Sequence, residues 1–394
     1  MAEQACPREE VETRERESLS PQATLSSDER ATRREHGPEK CPFRTDFQRD
    51  YTRIIHSRAF RRLRHKTQVF ISPQNDHICT RIEHHLHVAS VAATIAQALW
   101  LNVDLVRAIA IGHDLGHAPF GHKGEKSLKA IVESHGLSFT HELQSLRVVD
   151  RLESPYMPAY RGLNLTFAVR DGIACHCGEK FDECLSPDLD KTPEALLTMK
   201  RGDRPATLEG CIVRWADKIA YLGRDFEDAI ALNIIKQKEL PKTVKDVLGQ
   251  TNREMINRLI HELVNNGVDH NKLFVSMGVC NAMKELLEFN TARIYHSSQA
   301  QTTFDQVDRS MKIMFDLLMV RLDKACGDVN KIASEDEAQD PTSCWGVFQS
   351  FVRDDVGEGW NDSKHQVVLD FLAGMTDSFF CKACVECFLP KGAV

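Results

Sequence analysis

Apolar residues recur at helical spacing through most of the chain from Phe47 onward. Spacings of three and four residues place such positions on one face of a helix, whereas the alternation typical of strands is scarce. The pattern therefore predicts an all-α fold, with one short hairpin near 67–79. The periodic stretches are 86–101, 105–115, 143–152, 211–232, 244–264, 310–326 and 367–380.

Three regions differ in composition. Residues 1–40 are rich in Glu, Arg, Ser and Pro and poor in aliphatic side chains, so we expect a flexible arm or one ordered only against a partner subunit. A helical core over 41–235 contains the candidate chemistry, and a helical region over 236–394 is expected to pack on it. Segments 153–165 and 327–345 are predicted to be loops.

Length and charge exclude some classes of function. The chain has 394 residues with 50 Lys and Arg against 57 Asp and Glu, a formal net charge of -7. This acidity argues against a surface coated in basic charge for constitutive nucleic-acid binding, although a local basic patch stays open. The sequence has neither an apolar leader nor a run of about eighteen apolar residues. We therefore expect a cytoplasmic protein without membrane contact.

Histidine and cysteine are frequent, with 17 and 13 residues. An odd number of cysteines without a secretory signal favours reduced thiols over disulfides. Two clusters could contribute to a zinc site, but neither supplies the paired halves of a zinc knuckle, so plain thiols are the favoured interpretation. The clusters are Cys175, His176, Cys177 and Cys184, and Cys381, Cys384 and Cys387.

The most informative pair is His113–Asp114, at the end of an apolar helix that Gly116 and Pro119 terminate. A buried carboxylate beside an imidazole is costly unless something compensates its charge. A divalent cation is the natural compensation. We therefore expect further ligands from neighbouring helices.

One neighbouring helix contains His84, His85 and His87. His84 lies in line with aliphatic residues at i+4, i+7 and i+11, so it faces the same core as they do. His85 faces a row of alanines, and His87 shares part of the first stripe. Spacing favours His84 as the ligand but does not settle the choice.

A second neighbouring helix has Asp217, Tyr221 and Asp225 at i, i+4 and i+8, on one face. Two carboxylates flanking a tyrosine are consistent with a polar site lined by that helix. The alternative is that Asp217 pairs with Arg214 or Lys218 on a solvated face, and spacing alone leaves both interpretations open.

These residues, taken in order as His84, His113–Asp114 and Asp217, resemble the signature of the HD metal-dependent phosphohydrolases. Over roughly residues 41–390 the longer motifs resemble the dGTPase-type deoxynucleoside triphosphate triphosphohydrolases of bacteria. The motifs are FQRD at 47–50, HSRAFRRL at 56–63, KTQVF at 66–70, HDLGHAPFGHKGE at 113–125, HELQSLR at 141–147, GLNLT at 162–166, ADKIAY at 216–221 and GMTD at 374–377. The chain departs from the family pattern at 83–87 and at Lys218.

The resemblance implies an all-α fold with an HD-domain helical core and additional C-terminal helices. It implies that His84, His113, Asp114 and Asp217 hold one divalent cation per subunit. A set of two imidazoles and two carboxylates suits Mn²⁺, Mg²⁺, Fe²⁺, Co²⁺ or Zn²⁺.

Other histidines in the motifs match family residues near the reacting phosphate. His122 and Glu125 match a pair linked to proton transfer, a task that an imidazole oriented by a carboxylate performs well near neutral pH. His117 and His141 match positions lining the same phosphate site. The alternative is that these are core histidines whose nitrogens bond to backbone carbonyls.

Cations for a triphosphate are concentrated at 58–66, which contains four arginines and one lysine, with Arg81 a little further on. Guanidinium groups bind phosphate oxygens through paired, charge-assisted hydrogen bonds. A solvated basic face or subunit contacts are the alternative use of this stretch. Family position favours Arg62, Arg81 and Lys218 for the substrate.

The sugar site is also implied by the resemblance, because Gln68, Tyr221 and Asp225 match family residues around it. A tyrosine packed against C2′ leaves no room for a 2′-hydroxyl, and an aspartate or glutamine can hold the 3′-hydroxyl. Such a geometry would select deoxyribose.

The function implied is metal-dependent hydrolysis of deoxynucleoside triphosphates, dGTP or several, to deoxynucleoside and inorganic triphosphate. The family implies a homo-oligomer, hexamer or tetramer, and a nucleotide effector at a second site. One alternative is another HD nucleotidase or phosphodiesterase, which the cationic stretch at 58–66 argues against. A nucleotide-sensing, nucleic-acid-binding HD protein is the other, which the intact ligand set argues against. Binding of single-stranded nucleic acid stays open as a secondary role.

Overall fold

A computed structural model of the chain describes residues 7–37, 40–71, 75, 77–153, 160–178, 184–340, 342–356 and 362–389. Most of these residues are helical, and the strands among them form one small three-stranded sheet. The predicted all-α class is confirmed. Within the described part of the chain, no helix is both long and apolar enough to span a membrane.

The helices follow one another along the chain with short connections. They are α1 (Pro7–Ser18), α2 (Asp46–His56), α3 (Arg58–Arg62), α4 (Arg81–Ala98), α5 (Val103–Gly112), α6 (His122–Glu133), α7 (His141–Arg147), α8 (Phe167–Ala174), α9 (Leu208–Ala231), α10 (Lys242–Val247), α11 (Asn252–Asn266), α12 (Met277–Asn290), α13 (Ser298–Ala325), α14 (Glu335–Gln339), α15 (Cys344–Ser350), α16 (Lys364–Gly374) and α17 (Asp377–Phe388). Turns of π-helix at Val148–Leu152, Thr291–Tyr295 and Phe351–Val356 extend α7, α12 and α15.

The antiparallel sheet has the order β1 (Cys184–Leu185), β3 (Lys272–Phe274), β2 (Val268–Asp269). Cys184 pairs with Phe274, and Val268 pairs with Leu273.

Three segments of the structure differ in detail from the elements that the sequence predicts. Of the hairpin expected near 67–79, the structure describes one antiparallel bridge, between Thr67 and Thr80, whereas 72–74 and 76 lie outside the described residues. The expected loop at 327–345 contains α14, which a capping box at Ser334 initiates, so that prediction was wrong for this part. The predicted helix at 367–380 is divided between α16 and α17.

Helices α4, α5 and α9 pack against one another and form the centre of the molecule. Helices α5 and α9 each begin at a polar residue that satisfies free backbone N–H groups. The Asn102 side chain accepts from the backbone N–H groups of Asp104 and Leu105 at the start of α5, and Thr207 accepts from Gly210 at the start of α9. The first turn of α4, the end of α5 and the middle of α9 meet at one place, where the candidate ligands lie.

The buried apolar side chains form two clusters. The first contains α2, α4, α5, α8 and α9 and extends through α12, and the second is built from α6, α13, α15, α16 and α17. Helix α6 thus anchors the C-terminal helices to the part of the chain that contains the HD motif. The division into an arm, a core and a C-terminal region stays a prediction.

The N-terminal segment 7–37 lies against its own chain. The Glu15 carboxylate accepts hydrogen bonds from the backbone N–H and hydroxyl of Ser26. Arg34 is buried and forms ion pairs with Asp46 at 2.8 Å and Asp50 at 2.7 Å. These contacts join the segment to the rest of its own chain, and the expectation of a flexible or partner-ordered arm stays a prediction. Composition alone does not reveal such contacts, because they are buried ion pairs and hydrogen bonds and not apolar ones.

We predict that Arg34→Ala lowers the free energy of unfolding by about 3–5 kcal/mol, because it leaves buried carboxylates without their cation. Arg33→Ala is the matched control: its side chain is 59% exposed and pairs with Glu194, so it should cost less than about 1 kcal/mol. Chemical denaturation of both variants measures the difference. Equal losses would contradict the role given to Arg34.

Candidate functional site

A cavity of about 760 Å³ opens beside α4, α6 and α9 and extends to the start of α13. Its volume is in the range of sites that enclose a small organic ligand. Most of the residues that the sequence predicts for the site line this cavity. They are Gln68, Arg81, His84, Asp114, His117, His122, His141, Asp217, Lys218, Tyr221 and Asp225.

His84, His113 and Asp217 converge from three helices. The Nε2 atom of His84 lies 2.9 Å from an Asp217 oxygen, and Nε2 of His113 lies 3.9 Å from the same oxygen. One nitrogen or oxygen from each of the three lies within 4.8 Å of the others. Such a group can hold a metal ion.

The orientation of His113 fits a metal ligand. Its Nδ1 donates to the carbonyl of Ala110 at 2.7 Å, which leaves the lone pair on Nε2 directed toward Asp217. Nε2 is buried and has no hydrogen-bond partner among the described residues. Burial lowers the pKa of His113 to about 3, against the opposing charge of Asp114, so the ring is neutral, as a metal ligand must be.

Asp114 supplies a second potential ligand atom that has no hydrogen-bond partner. One oxygen forms an ion pair with the buried guanidinium of Arg81, whereas Oδ1 is buried and has no hydrogen-bond partner in the described structure. Burial acts to raise its pKa, but the charges of Arg81 and the surrounding histidines outweigh this and hold it well below its ordinary value. Burial also acts to raise the pKa of Asp217, and the hydrogen bond from His84 lowers it overall. Both carboxylates are therefore ionised, and the donor set fits a divalent cation.

A carboxylate joins two histidines at the other side of the cavity. Glu125, in the first turn of α6, accepts from Nδ1 of His122 at 3.0 Å and from Nδ1 of His141 at 3.0 Å. Burial acts to raise the pKa of Glu125, but the charge of His141 and hydrogen bonds from both rings hold it well below the ordinary range. His117 stacks on His141 with ring centroids 4.7 Å apart. His122 keeps 75% of its side chain exposed and faces the cavity. The group can hold and move a proton.

Asp225 has a partner that the sequence did not indicate. The Tyr295 hydroxyl donates to it at 2.5 Å. Burial is the main reason that the pKa of Asp225 is raised to about 7; the hydrogen bond from Tyr295 opposes the rise, and the charges of Asp228 and Asp217 add to it. Tyr295 and Tyr221 both line the cavity. No local pattern points to Tyr295, which lies in the turn of π-helix after α12.

The cationic stretch at 58–66 does not form a wall of the cavity. Arg62 is absent from the lining, and its guanidinium lies 3.7 Å from the carboxylate of Glu153. Lys66 is buried and donates to the carbonyls of Ala373 and His117. Closeness in sequence does not fix where side chains point, and the expectation that a triphosphate lies along this stretch stays a prediction without support from the cavity lining.

Two lysines that were not predicted do line the cavity, together with Arg81 and Lys218. Lys123 follows His122 at the start of α6, and Lys126 lies one turn later, with its Nζ 4.6 Å from the ring centroid of Phe304. Placing α6 beside the HD motif would have been enough to find both.

The cluster of Cys175, His176, Cys177 and Cys184 is divided in the structure, whereas Cys381, Cys384 and Cys387 all lie in α17. His176 and Cys177 line the cavity, whereas Cys184 lies in β1 and Cys175 is buried 3.1 Å from Nζ of Lys191. The cysteines for which the structure gives a state form no disulfide, and the choice between plain thiols and a zinc site stays a prediction. His176 and Cys177 escaped the site prediction because their segment was considered only as a zinc knuckle.

Comparison with known proteins identifies the family. The HD domain family matches residues 81–222. The chain is 38% identical over 384 residues to a deoxyguanosinetriphosphate triphosphohydrolase-like protein of Caldanaerobacter subterraneus subsp. tengcongensis, covering 98% of this chain and 96% of the relative. It is 37% identical over 393 residues to one of Desulfatibacillum aliphaticivorans, covering 98% and 99%. The chain therefore belongs to the deoxyguanosinetriphosphate triphosphohydrolase-like proteins of the HD-domain family.

Proposed function

We propose that the protein is a metal-dependent hydrolase that cleaves deoxynucleoside triphosphates, dGTP or several, to deoxynucleoside and inorganic triphosphate. The observation that carries the proposal is one cavity in which three kinds of group meet. The first is a cluster of His and Asp side chains that includes buried ligand atoms without a hydrogen-bond partner among the described residues. The second is a histidine that a carboxylate orients. The third is a set of lysines near a buried Asp–Tyr pair. The names of the relatives support the same substrate class.

The cation would be held by His84, His113, Asp114 and Asp217. A divalent ion bound there would make the phosphorus more electrophilic and lower the pKa of a nearby water. Two imidazoles with two carboxylates are compatible with Mn²⁺, Mg²⁺, Fe²⁺, Co²⁺ or Zn²⁺.

His122 would transfer the proton in this reaction. Water attacks the α-phosphorus, the bond from phosphorus to O5′ breaks, and O5′ must gain the proton that the water gives up. The ring of His122 is open to the cavity and is held from behind by Glu125 at 3.0 Å. Transfer by an oriented imidazole avoids a charged alkoxide leaving group and is typically worth about 10²–10⁴-fold in rate. His141 and His117 support this ring, at 5.7 Å and 5.0 Å between centroids.

Cations from three helices, α4, α6 and α9, would meet the charge of the substrate. Arg81, Lys123, Lys126 and Lys218 line the cavity, and they can neutralise the negative charge that develops on the phosphate oxygens during the attack. Arg81 is already paired with Asp114, so its part is to hold that carboxylate in place as well as to face the phosphate.

Sugar selection would rest on Tyr221 and on the Asp225–Tyr295 pair. A ring packed against C2′ excludes the 2′-hydroxyl by crowding, and Asp225 can bond to the 3′-hydroxyl. Gln68 lines the same side of the cavity. Oligomer formation as a hexamer or tetramer, a nucleotide effector and binding of single-stranded nucleic acid belong to the proposal only as family expectations.

The first prediction from the proposed function concerns the products of the reaction. Incubation with each dNTP and NTP and with Mn²⁺ or Mg²⁺ should release deoxynucleoside and inorganic triphosphate, with ribonucleotides turned over more slowly. Asp217→Asn should abolish turnover by removing a cation ligand, whereas Glu227→Gln, a half-exposed change on the same helix, should retain it. Separation of products by ion-exchange chromatography tests this. Release of diphosphate or monophosphate would point to another HD nucleotidase instead.

A second prediction isolates Glu125. Glu125→Gln keeps the size of the side chain but removes the charge that orients His122, so kcat should fall by about 10²–10⁴-fold with little change in KM. Glu133→Gln, on the exposed end of the same helix, is the control and should behave as wild type. A rise in KM with unchanged kcat would assign Glu125 to substrate binding and contradict a role in proton transfer.

A third prediction follows from the raised pKa of Asp225, about 7 in the folded protein against an ordinary 3.8. Between these values the folded chain keeps a proton that the unfolded chain has lost. The contribution of Asp225 to the free energy of unfolding is therefore greatest below about pH 4, and it declines by on the order of 1 kcal/mol per pH unit as pH rises to 7. Asp225→Asn should remove this pH-dependent contribution to stability. Denaturation of both proteins across the interval measures it, and parallel pH dependences would contradict the assignment.

A further inference from the structure

The turn that leads into His122 is held from outside the cavity by the beginning of α17. Asp377, the first residue of α17, is buried, with 3% of its surface exposed. Its Oδ1 atom accepts from the backbone N–H of Phe120 at 2.9 Å, two residues before His122. Its Oδ2 atom accepts from the backbone N–H of Thr67 at 3.0 Å and from the Thr67 hydroxyl at 2.5 Å. One carboxylate therefore fixes two backbone segments that border the cavity.

The turn before His122 requires such a restraint because its backbone conformation is unfavourable. Phe120 and Gly121 have φ values of +65° and +62°. The left-handed region is strained for a bulky side chain, so Phe120 stays there only if surrounding contacts hold it. Its N–H donates to Asp377, and its ring meets the ring of Phe380 edge to face, with centroids 5.3 Å apart. Both partners lie in α17.

The second segment connects Asp377 to the candidate metal ligands. The carbonyl of Thr67 accepts from Nε of Arg81 at 3.3 Å. Arg81 in turn forms the ion pair with Asp114. The carboxylate of Asp377 therefore supports both the turn before the proton-transferring histidine and the backbone that orients this arginine.

Lys66 attaches the other end of the turn to the same C-terminal helices. Its buried Nζ donates to the carbonyl of His117, where the turn begins, and to the carbonyl of Ala373 in α16 at 2.8 Å. The turn 117–121 is thus held at both ends by groups that are themselves bonded to α16 or belong to α17.

We infer that Asp377 is a positioning residue, which fixes the turn 117–121 and with it the ring of His122, a role that rests on the proposed function. Asp377 does not line the cavity, so its effect on the reaction must pass through the residues that it holds. The alternative is that the carboxylate only fastens α17 to the core. That alternative predicts a loss of stability without a specific loss of rate, so experiment can separate the two.

The test compares Asp377→Asn with a matched change on the same helix. An amide accepts on one oxygen only, whereas the carboxylate accepts backbone N–H groups on both, so the variant loses at least one of these hydrogen bonds. Glu386→Gln is the control. Glu386 also accepts from one backbone N–H and one hydroxyl, those of Cys344 and Ser343, at 3.0 Å each. It lies at the other end of α17, outside the cavity lining.

In Asp377→Asn, kcat for dNTP hydrolysis should fall by about 10–10²-fold while KM changes by less than about threefold, because a displaced reacting group lowers the rate more than the binding. Hydrogen exchange at the Phe120 amide, measured by mass spectrometry on peptides within 115–125, should be faster. Glu386→Gln should match wild type in both measurements. Phe380→Leu leaves Asp377 in place and loosens only the ring contact, so it should shift both measurements in the same direction. This second variant decides the question if Asp377→Asn has no melting transition.

A double-mutant cycle with His122→Ala tests whether Asp377 acts through His122. In the His122→Ala background, Asp377→Asn should lower kcat by less than about threefold, because the ring that it positions has been removed. Fully additive losses would overturn the inference, and so would wild-type kcat or wild-type exchange at Phe120 in Asp377→Asn. If wild type releases triphosphate and only His122→Ala is slowed, the proposed function stands and the positioning role fails. If wild type releases no triphosphate from any dNTP, the proposed function fails and the role in catalysis fails with it.

Discussion

A buried, ionised Asp114 just beyond the end of α5 is the constraint that organises this site. The C-terminal end of a helix carries partial negative charge, so a carboxylate there is doubly unfavourable unless cations surround it. Arg81 supplies one, from the first turn of α4. Burial opposes a charge on His141, but Glu125 and its other acidic neighbours raise the pKa of His141 well above the ordinary value, so this ring supplies another. A bound metal ion would complete the compensation. The packing of α4, α5 and α9 holds these groups together.

The same electrostatic arrangement separates two tasks within one cavity. On one side, neutral His113 and ionised Asp217 are suited to a cation. On the other side, Glu125 orients His122 toward the open part of the cavity. Because these groups are held by helix packing and hydrogen bonds before substrate arrives, little reorganisation is needed during the reaction, which is how enzymes stabilise developing charge at low cost.

Helical periodicity predicted the fold class and the buried face of α4 and α9, and the family resemblance pointed to most of the polar residues that line the cavity. It did not predict Tyr295, His176 or Cys177, which reach the site through tertiary packing and have no helical spacing to reveal them. The contacts of the basic stretch at 58–66 were unforeseen for a related reason: a linear cluster does not reveal that Arg62 lies 3.7 Å from Glu153 or that Lys66 donates to a buried carbonyl. Segment 7–37 appeared unstructured by composition, yet buried polar contacts such as those of Arg34 fix it to the core.

The central claim is that water attacks the α-phosphorus and that O5′ leaves with the nucleoside. Hydrolysis of a dNTP in water enriched in heavy oxygen tests it most directly, with mass spectrometry of both products. The account predicts one heavy oxygen in the inorganic triphosphate and none in the deoxynucleoside. Heavy oxygen in the 5′-hydroxyl would show attack at carbon and contradict the arrangement of metal ligands and His122 described above.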